Sequence, residues 1–207
     1  LAIEAVRNSA PDGYTILAVT TGLTVLPAFN PKINYDPVKD FAPISLITMA
    51  PYLVVVNPGV PARTFQEFIA HARANPGQVN FAVASLGSII QLGALWISSA
   101  TNTKLTIIPY KGTGPVLQAL MAGEVHASLG NPISTLRLVK AGKLRAIAVT
   151  SPKRAKAFPD IPTVAESGIP DFDDTTWHGW LAAKNTPRDI IMRLNAGVVK
   201  MINAPDM

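Results

Sequence analysis

The chain has 207 residues, of which 48% are hydrophobic and 15% are charged, and its formal net charge is +5. This apolar composition excludes an intrinsically disordered chain, and the length suffices for one domain or two small lobes. The absence of cysteine excludes disulfides and cysteine-ligated metal centres. No apolar run approaches the roughly 18 residues of a membrane span, so we expect no direct membrane insertion.

The first part of the chain alternates apolar runs with proline-rich breaks. An amphipathic helical pattern begins at Leu1 without a capping residue before it. Buried strands are predicted at 14–19, 44–48 and 52–56. The prolines between 30 and 43 predict an extended loop.

The middle of the chain is its most regular part. Thr64 and Glu67 form a capping-box pattern, which predicts the start of a helix. Strand and helix patterns then alternate, and the strands are predicted at 79–84, 105–110, 125–129 and 144–150. Connections of this length imply parallel strands joined by right-handed crossovers.

The pattern changes after residue 150, where it becomes irregular, then extended at 176–182 and helical after Pro187. Two lobes are the economical interpretation of this change. We expect a continuous α/β lobe at 57–150 and a discontinuous lobe made of 1–56 and 151–207, so that the chain crosses between the lobes twice.

Candidate binding residues follow the predicted strands. Ligands of parallel α/β sheets bind beyond the carboxyl ends of the strands. The loops at these ends are rich in Gly, Ser, Thr and Asn, and several lead into helices whose first amide groups favour an anion. Ordinary caps and turns would explain any single loop, but the whole set predicts one anion-binding cleft between the lobes. Its expected residues are Thr20, Thr21, Gly22, Ser85, Gly87, Ser88, Lys111, Gly112, Thr113, Gly114 and Asn131.

Motifs for other chemistries are missing. Gly112 and Gly114 begin a G-x-G pattern, but Leu117 stands where a dinucleotide site needs its third glycine. The sequence has no P-loop, nucleophile elbow or zinc-protease motif. No acid and base are paired, so the chain gives no support for an acid–base enzyme. We therefore expect no catalytic residues and no cofactor.

Isolated ionisable residues have structural interpretations. The three histidines, His71, His126 and His178, are far apart in the sequence and are interpreted as structural. Asp171, Asp173 and Asp174 fit no calcium loop and are interpreted as a solvated loop, so no metal is expected. The basic residues between 137 and 156 favour a solvated face, with an anionic partner as the alternative. We expect no nucleic-acid partner.

Five blocks of the sequence resemble the Bug, or TctC-like, receptors, which are periplasmic components of tripartite tricarboxylate transporters. The blocks follow one another in order over nearly the whole chain, at 10–15, 35–44, 109–115, 140–146 and 158–168. The resemblance implies an α/β, two-lobed periplasmic-binding-protein fold of the Venus flytrap type II. It further implies a periplasmic receptor that binds a small organic carboxylate and delivers it to membrane permease subunits.

The chain also departs from the family pattern. The family carries an additional N-terminal strand with a pocket loop and a C-terminal helix. We therefore expect a fold truncated at both termini, without the signal peptide, and a first lobe with an unpaired strand edge and an apolar face. Gln91 stands where the family has histidine, and Gly130 replaces an acid that is common there. The second departure favours a purely anionic ligand over an α-amino acid.

Three functional classes stay open at this point. The first is the transport receptor that the resemblance implies. The second is a ligand-sensing module of the same fold, which presents its closed form to a signalling partner. A small α/β enzyme is the third and weakest. The sequence leaves the identity of the carboxylate and the oligomeric state open.

Overall fold

The computed structural model describes residues 2–204, which form seven helices and eight strands. In chain order these are α1 (Ala2–Arg7), β1 (Ile16–Thr20), α2 (Gly22–Phe29), β2 (Phe41–Pro51), β3 (Leu53–Val56), α3 (Phe65–Ala74), β4 (Val79–Val83), α4 (Ile89–Ala100), β5 (Leu105–Pro109), α5 (Thr113–Ala122), β6 (Ala127–Gly130), α6 (Pro132–Lys140), β7 (Arg145–Val149), β8 (Thr175–Ala183) and α7 (Arg188–Ile202). The chain divides into two compact units. Unit 1 comprises residues up to 49 and from 176 onward, and unit 2 comprises residues 50–175.

Unit 2 is built on a five-stranded sheet with the order β5-β4-β6-β3-β7. β4 pairs in parallel with β5 and β6, whereas β3 pairs antiparallel with both β6 and β7. The four strands that the sequence predicts as parallel therefore share one direction. The sheet is nevertheless mixed, because β3 is inserted between β6 and β7.

The position of β3 in the sheet shifts the boundaries between the two units from those that the sequence predicts. The sequence predicts this strand in the discontinuous lobe, but its residues Leu53–Val56 are fully buried inside the sheet of unit 2. A short apolar run marks a buried strand without revealing which sheet buries it. Residues 163–172 also pack into unit 2, where Val164 and Phe172 join its core. The units thus divide at 49/50 and 175/176, whereas the sequence predicts boundaries at 56/57 and 150/151.

Apolar clusters cover both faces of this sheet. One cluster joins Phe81 to α3 and α4, through residues such as Phe68 and Ile97. The other cluster joins Ala82 to α5, through residues such as Leu120. The predicted capping box opens α3, where Thr64 Oγ1 accepts a hydrogen bond from Glu67 N at 3.2 Å. Unit 2 therefore has a complete two-sided core.

Unit 1 contains a three-stranded sheet with the order β1-β8-β2. Its β1 and β8 are antiparallel, with Thr20 opposite His178. One face carries a small core that includes Leu17, Leu23 and Tyr35. Among the described residues, β1 and β2 each have a neighbouring strand on one side only.

An apolar groove of about 610 Å³ lies between the other face of this sheet and α7. Ile16, Trp180 and Leu194 are among its lining residues. Ile16 is 40% exposed, so apolar surface of the edge strand is open to solvent. The apolar face expected from the sequence is therefore present. No helix within residues 2–204 combines the length and apolarity needed to cross a bilayer.

The sequence patterns predict no helix between residues 22 and 29, where the structure has α2 with Pro27 inside it. Proline has no N–H to donate to the carbonyl oxygen four residues earlier. Here that oxygen, Leu23 O, accepts a hydrogen bond from the Tyr35 hydroxyl at 2.9 Å. A side chain twelve residues away thus supplies the donor that Pro27 lacks, and local sequence patterns do not reveal such a partner.

Candidate functional site

Three loops of unit 2 meet at one edge of its sheet, which we call the carboxyl edge. Because β5, β4 and β6 are neighbouring parallel strands, their carboxyl ends lie together there. Tyr110 N donates to Val83 O at 2.8 Å and Gly112 N donates to Ala84 O at 2.9 Å, which ties the loop after β5 to the loop after β4. The structure thus brings to one edge the candidate residues Ser85, Gly87, Ser88, Lys111, Gly112, Thr113, Gly114 and Asn131.

The loop after β4 is held by its own polar side chains. Ser88 Oγ donates to Ser85 O at 2.8 Å and accepts from Gln91 N at 3.3 Å, so Ser88 is the N-cap of α4. Gln91 Oε1 accepts from Gly87 N at 2.7 Å. Gly87 has a φ of +71°, a conformation that favours glycine. These bonds fix the loop, and Gln91 takes part as a positioning residue.

The other two helices at the carboxyl edge differ in how they begin. Asn131 Oδ1 caps α6 by accepting from Ile133 N at 2.9 Å, and its amide group donates no hydrogen bond within the described residues. Gly112 precedes α5 with a φ of +103°, and no side chain caps this helix. The space around Gly112 and Gly114 is open. The first amides of α5 are therefore available to an anion, which the helix dipole also favours.

Gly130, at the end of β6, shows why an acid is absent from this position. A Cβ atom there would come closer than 3.0 Å to Cγ2 of Thr135. Thr135 is fully buried, and its Oγ1 donates to Asn131 O at 2.6 Å. A side chain at position 130 therefore requires Thr135 to change as well.

The candidate residues of unit 1 lie where β1 leads into α2. Thr20 Oγ1 accepts from Gly22 N at 3.3 Å, and the buried Thr21 Oγ1 is 3.2 Å from Thr176 Oγ1. Thr21 is the N-cap of α2, but its side chain accepts no hydrogen bond from the first amides of this helix, so α2 begins without a side-chain cap, as α5 does. The expectation that Thr20, Thr21 and Gly22 share one cleft with the carboxyl edge of unit 2 stays a prediction.

The sequence predicts that the three aspartates between residues 171 and 174 lie in a solvated loop, and this prediction is wrong for Asp174. Asp171 and Asp173 are exposed, but Asp174 is only 3% exposed. Its Oδ2 atom has no hydrogen-bond partner within residues 2–204, and burial raises the pKa of Asp174 to about 7, with a smaller contribution from the charge of Asp173. The buried alternation of Phe172, Asp174 and Thr176 is the sequence signal that could have revealed this.

The histidines form no common site. His126 Nδ1 accepts from Asn80 N at 2.9 Å, and burial lowers the pKa of His126, with a further contribution from the charge of His71. His71 lies beside Asn75, at 3.3 Å between Nδ1 and Nδ2. Within residues 2–204, no three potential metal ligands cluster together.

Comparison with known proteins identifies the family. The model of the tripartite tricarboxylate transporter family receptor, TctC, matches residues 1–207. The chain belongs to this family. It is 37% identical over 205 residues to the UPF0065 protein of the tcbD-tcbE intergenic region of Pseudomonas sp. strain P51, and 36% identical over 194 residues to protein BugT of Bordetella pertussis. The chain spans 61% and 60% of the lengths of these two relatives.

Solved structures of this TctC receptor family share the fold. The chain superposes with a TM-score of 0.88 on Rpa4515 of Rhodopseudomonas palustris with adipate, at 31% identity, covering 99% of this chain and 70% of that one. It superposes with a TM-score of 0.87 on MatC of the same species with bound malate, at 32% identity and with the same coverage. The periplasmic binding protein BugD gives a TM-score of 0.85 at 30% identity, covering 97% of this chain and 67% of BugD. The α/β fold of this TctC chain is thus that of periplasmic solute-binding proteins.

Proposed function

We propose that this chain is the ligand-binding part of a periplasmic receptor that captures a small carboxylate and delivers it to the permease subunits of a tripartite tricarboxylate-type transporter. The observation that carries the proposal is the carboxyl edge of unit 2, where α4, α5 and α6 all begin. Membership of the receptor family and the fold shared with the adipate- and malate-bound proteins support it.

The proposed binding chemistry uses mainly neutral donors. The uncapped amides of α5 would face a carboxylate, and the free amide group of Asn131 and the Thr113 hydroxyl would add donors. Micromolar affinity corresponds to about −8.2 kcal/mol. For a ligand of about ten non-hydrogen atoms this is about 0.8 kcal/mol per atom, below the ceiling of about 1.5 for small ligands. Such a set of donors therefore suffices once water is excluded.

The same candidate residues suit a protein that binds its ligand without changing it chemically. Among the candidate residues, Lys111 is the one with an ionisable side chain, and it is exposed. A general acid–base reaction needs a donor and an acceptor of protons within reach of the substrate. The candidate set offers no such pair, so we propose a receptor that releases its ligand unchanged.

Calorimetric titration of the chain with adipate, malate and citrate tests the proposal. We expect binding of at least one of these carboxylates and none of 1,6-hexanediol, which keeps the carbon chain of adipate without its charges. Equal binding of the diol, or no binding of any carboxylate, would contradict the proposed ligand class.

The variant Asn131→Asp tests the site itself. Aspartate still caps α6, but it removes the amide donor and adds a negative charge beside the proposed carboxylate. We expect carboxylate affinity to fall at least tenfold. Asn102→Asp is the matched control, because it adds the same charge in the loop between α4 and β5, away from the carboxyl edge. An equal loss of affinity in both variants would remove Asn131 from the site.

A further inference from the structure

Asp174 occupies a buried space that the chain leaves open by having a glycine at position 93. A Cβ atom on Gly93 of α4 would come closer than 3.0 Å to Asp174 Oδ2 and would lie 2.7 Å from Leu129 Cδ1 of β6. The carboxyl group is thus packed against a helix backbone and an aliphatic side chain. Asp174 is 3% exposed and its Oδ2 has no hydrogen-bond partner among the described residues, whereas buried carboxylate oxygens are normally hydrogen-bonded.

The surroundings of Asp174 offer no counter-charge. Neither α4 nor β6 contains an ionisable residue. The ionisable side chains on neighbouring segments include those of Asp173, which is exposed, of Tyr52, which precedes β3, and of His178 in β8, whose Nδ1 has no hydrogen-bond partner among the described residues. No ion pair of Asp174 is present among the described residues. A negative charge here is therefore desolvated and uncompensated, and the neutral acid fits the space better.

The backbone at Asp174 is an anchor point of unit 2. Asp174 N donates to Thr150 O at 3.0 Å, and Thr150 Oγ1 donates to Asp174 O at 2.8 Å. The same Thr150 Oγ1 accepts from Tyr52 N at 2.8 Å. Tyr52 follows the first passage of the chain between the units, at 49/50, and Asp174 precedes the second, at 175/176. Thr150 thus holds the segments by which the chain enters and leaves unit 2.

We propose that Asp174 is a proton-controlled anchor for the segment by which the chain leaves unit 2. The neutral carboxyl group stays packed against Gly93 and keeps the backbone of Asp174 bonded to Thr150. The ionised group is driven toward water, which loosens this segment. The raised pKa of Asp174, about 7, places the transition near neutral pH.

The sign of the pH effect follows from linkage. The ordinary pKa of an aspartate is 3.8, so between pH 4 and about 7 the folded chain keeps a proton on Asp174 that the unfolded chain has lost. The free energy of unfolding therefore falls as the pH rises through this window and becomes constant above it. The contribution of Asp174 is fully favourable only below its unfolded pKa.

Denaturant unfolding of wild type and Asp174→Asn between pH 5 and 8 tests the proposal. Asparagine has nearly the same shape and cannot ionise. We expect the unfolding equilibrium constant of wild type, relative to that of the variant, to rise by up to about tenfold per pH unit up to pH 7. Asp171→Asn is the matched control, because Asp171 is exposed and its φ of +61° suits asparagine. This control should follow wild type.

Hydrogen exchange separates an anchor from a simple buried acid. We expect the Asp174 amide of wild type to lose protection above pH 7, after correction for intrinsic exchange, and the amide of Asp174→Asn to keep it. A stability difference that is independent of pH, or a carboxyl resonance of Asp174 that titrates at the ordinary aspartate value, would overturn the proposal. Equal protection of the Asp174 amide in both proteins would also overturn it.

Discussion

Units 1 and 2 bury their sheets to different extents. In unit 2 the inner strand β3 is fully buried, and apolar clusters cover both faces of the sheet. In unit 1 the end strand β1 keeps Ile16 40% exposed, and the face toward α7 contains an open apolar groove. Unit 2 therefore has an apolar core on both faces of its sheet, whereas unit 1 keeps an apolar surface that is open to solvent. Four predictions test this difference.

The largest effect is expected when one leucine of each unit is replaced by alanine and the two losses of stability are compared. Leu120 is fully buried in unit 2, and Leu194 is half-buried in the groove of unit 1. Leu120→Ala should lower the free energy of unfolding by about 2–5 kcal/mol, because it leaves a cavity that its neighbours cannot fill. Leu194→Ala should cost roughly 1 kcal/mol, because part of its surface is already in water.

Denaturant unfolding combined with hydrogen exchange would assign each cost to its unit. The matched change of residue type makes the comparison direct, since both variants remove the same atoms. Equal losses at the two positions would contradict the view that unit 1 is the less completely buried of the two.

The next prediction concerns Gly130 and Thr135 at the carboxyl edge of unit 2. Gly130→Ala should destabilise the chain by about 1–3 kcal/mol, because the new methyl group overlaps Cγ2 of Thr135. Thr135→Ser removes that methyl group and keeps the hydroxyl that donates to Asn131 O. The double variant should therefore recover most of the loss. Thermal unfolding of the four proteins measures the coupling, and additive losses would show that Thr135 is not the obstacle.

A smaller effect is expected at the proline-containing helix of unit 1. Tyr35→Phe removes the hydroxyl that donates to Leu23 O and should cost about 1 kcal/mol. Burial raises the pKa of Tyr35, so its hydroxyl remains a donor throughout the neutral range. Pro27→Ala restores a backbone N–H for the same oxygen. Tyr35→Phe should then cost less in the Pro27→Ala background, as measured by denaturant unfolding. An unchanged cost would contradict this role of the hydroxyl.

The sequence predicted most of the local elements, but it did not show which sheet contains β3, and it did not reveal α2. Periodicity located the strands of unit 2, and Thr64 with Glu67 marked the start of α3. It did not show that β3 belongs between β6 and β7, because burial on both faces leaves the same apolar run in any sheet. The helix α2 was missed because its stabilising donor, Tyr35, lies outside the local pattern.

For the candidate site, the loops were located by the rule that ligands of parallel α/β sheets bind beyond the carboxyl ends of the strands. The structure shows what the residues of these loops do. Ser88 and Asn131 both cap helices, so their presence in the sequence reflects local structure as well as any ligand. The lack of a cap on α5 was not evident, because glycine is itself an accepted N-cap residue. Asp174 was misjudged because neighbouring aspartates suggest solvent, whereas strand alternation places only this one inside.

The smallest expected effect lies in the loop of unit 2 that contains Glu166. Its Oε2 accepts from Thr163 N at 2.9 Å, and Glu166 N donates to Thr163 Oγ1 at 2.9 Å. The backbone N–H of Thr163, and then the Arg154 side chain at 2.9 Å, lower the pKa of Glu166 below its ordinary value of 4.5. The ionised carboxylate therefore contributes stability that is present above pH 4.5 and is lost as the pH falls through the lowered pKa.

Glu166→Gln tests this contribution, because glutamine can still accept from Thr163 N but has no charge. The stability difference between wild type and the variant should be small at neutral pH, since exposed ion pairs contribute little, and it should vanish in acid. Glu124→Gln, a change at an exposed glutamate elsewhere in unit 2, is the control for the loss of one charge. A stability difference that grew in acid would contradict the prediction, because a carboxylate stabilised by its partners loses its contribution when it is protonated. Since Asp174 is destabilised by ionisation and Glu166 is stabilised by it, the two variants should shift the pH of maximum stability of unit 2 in opposite directions.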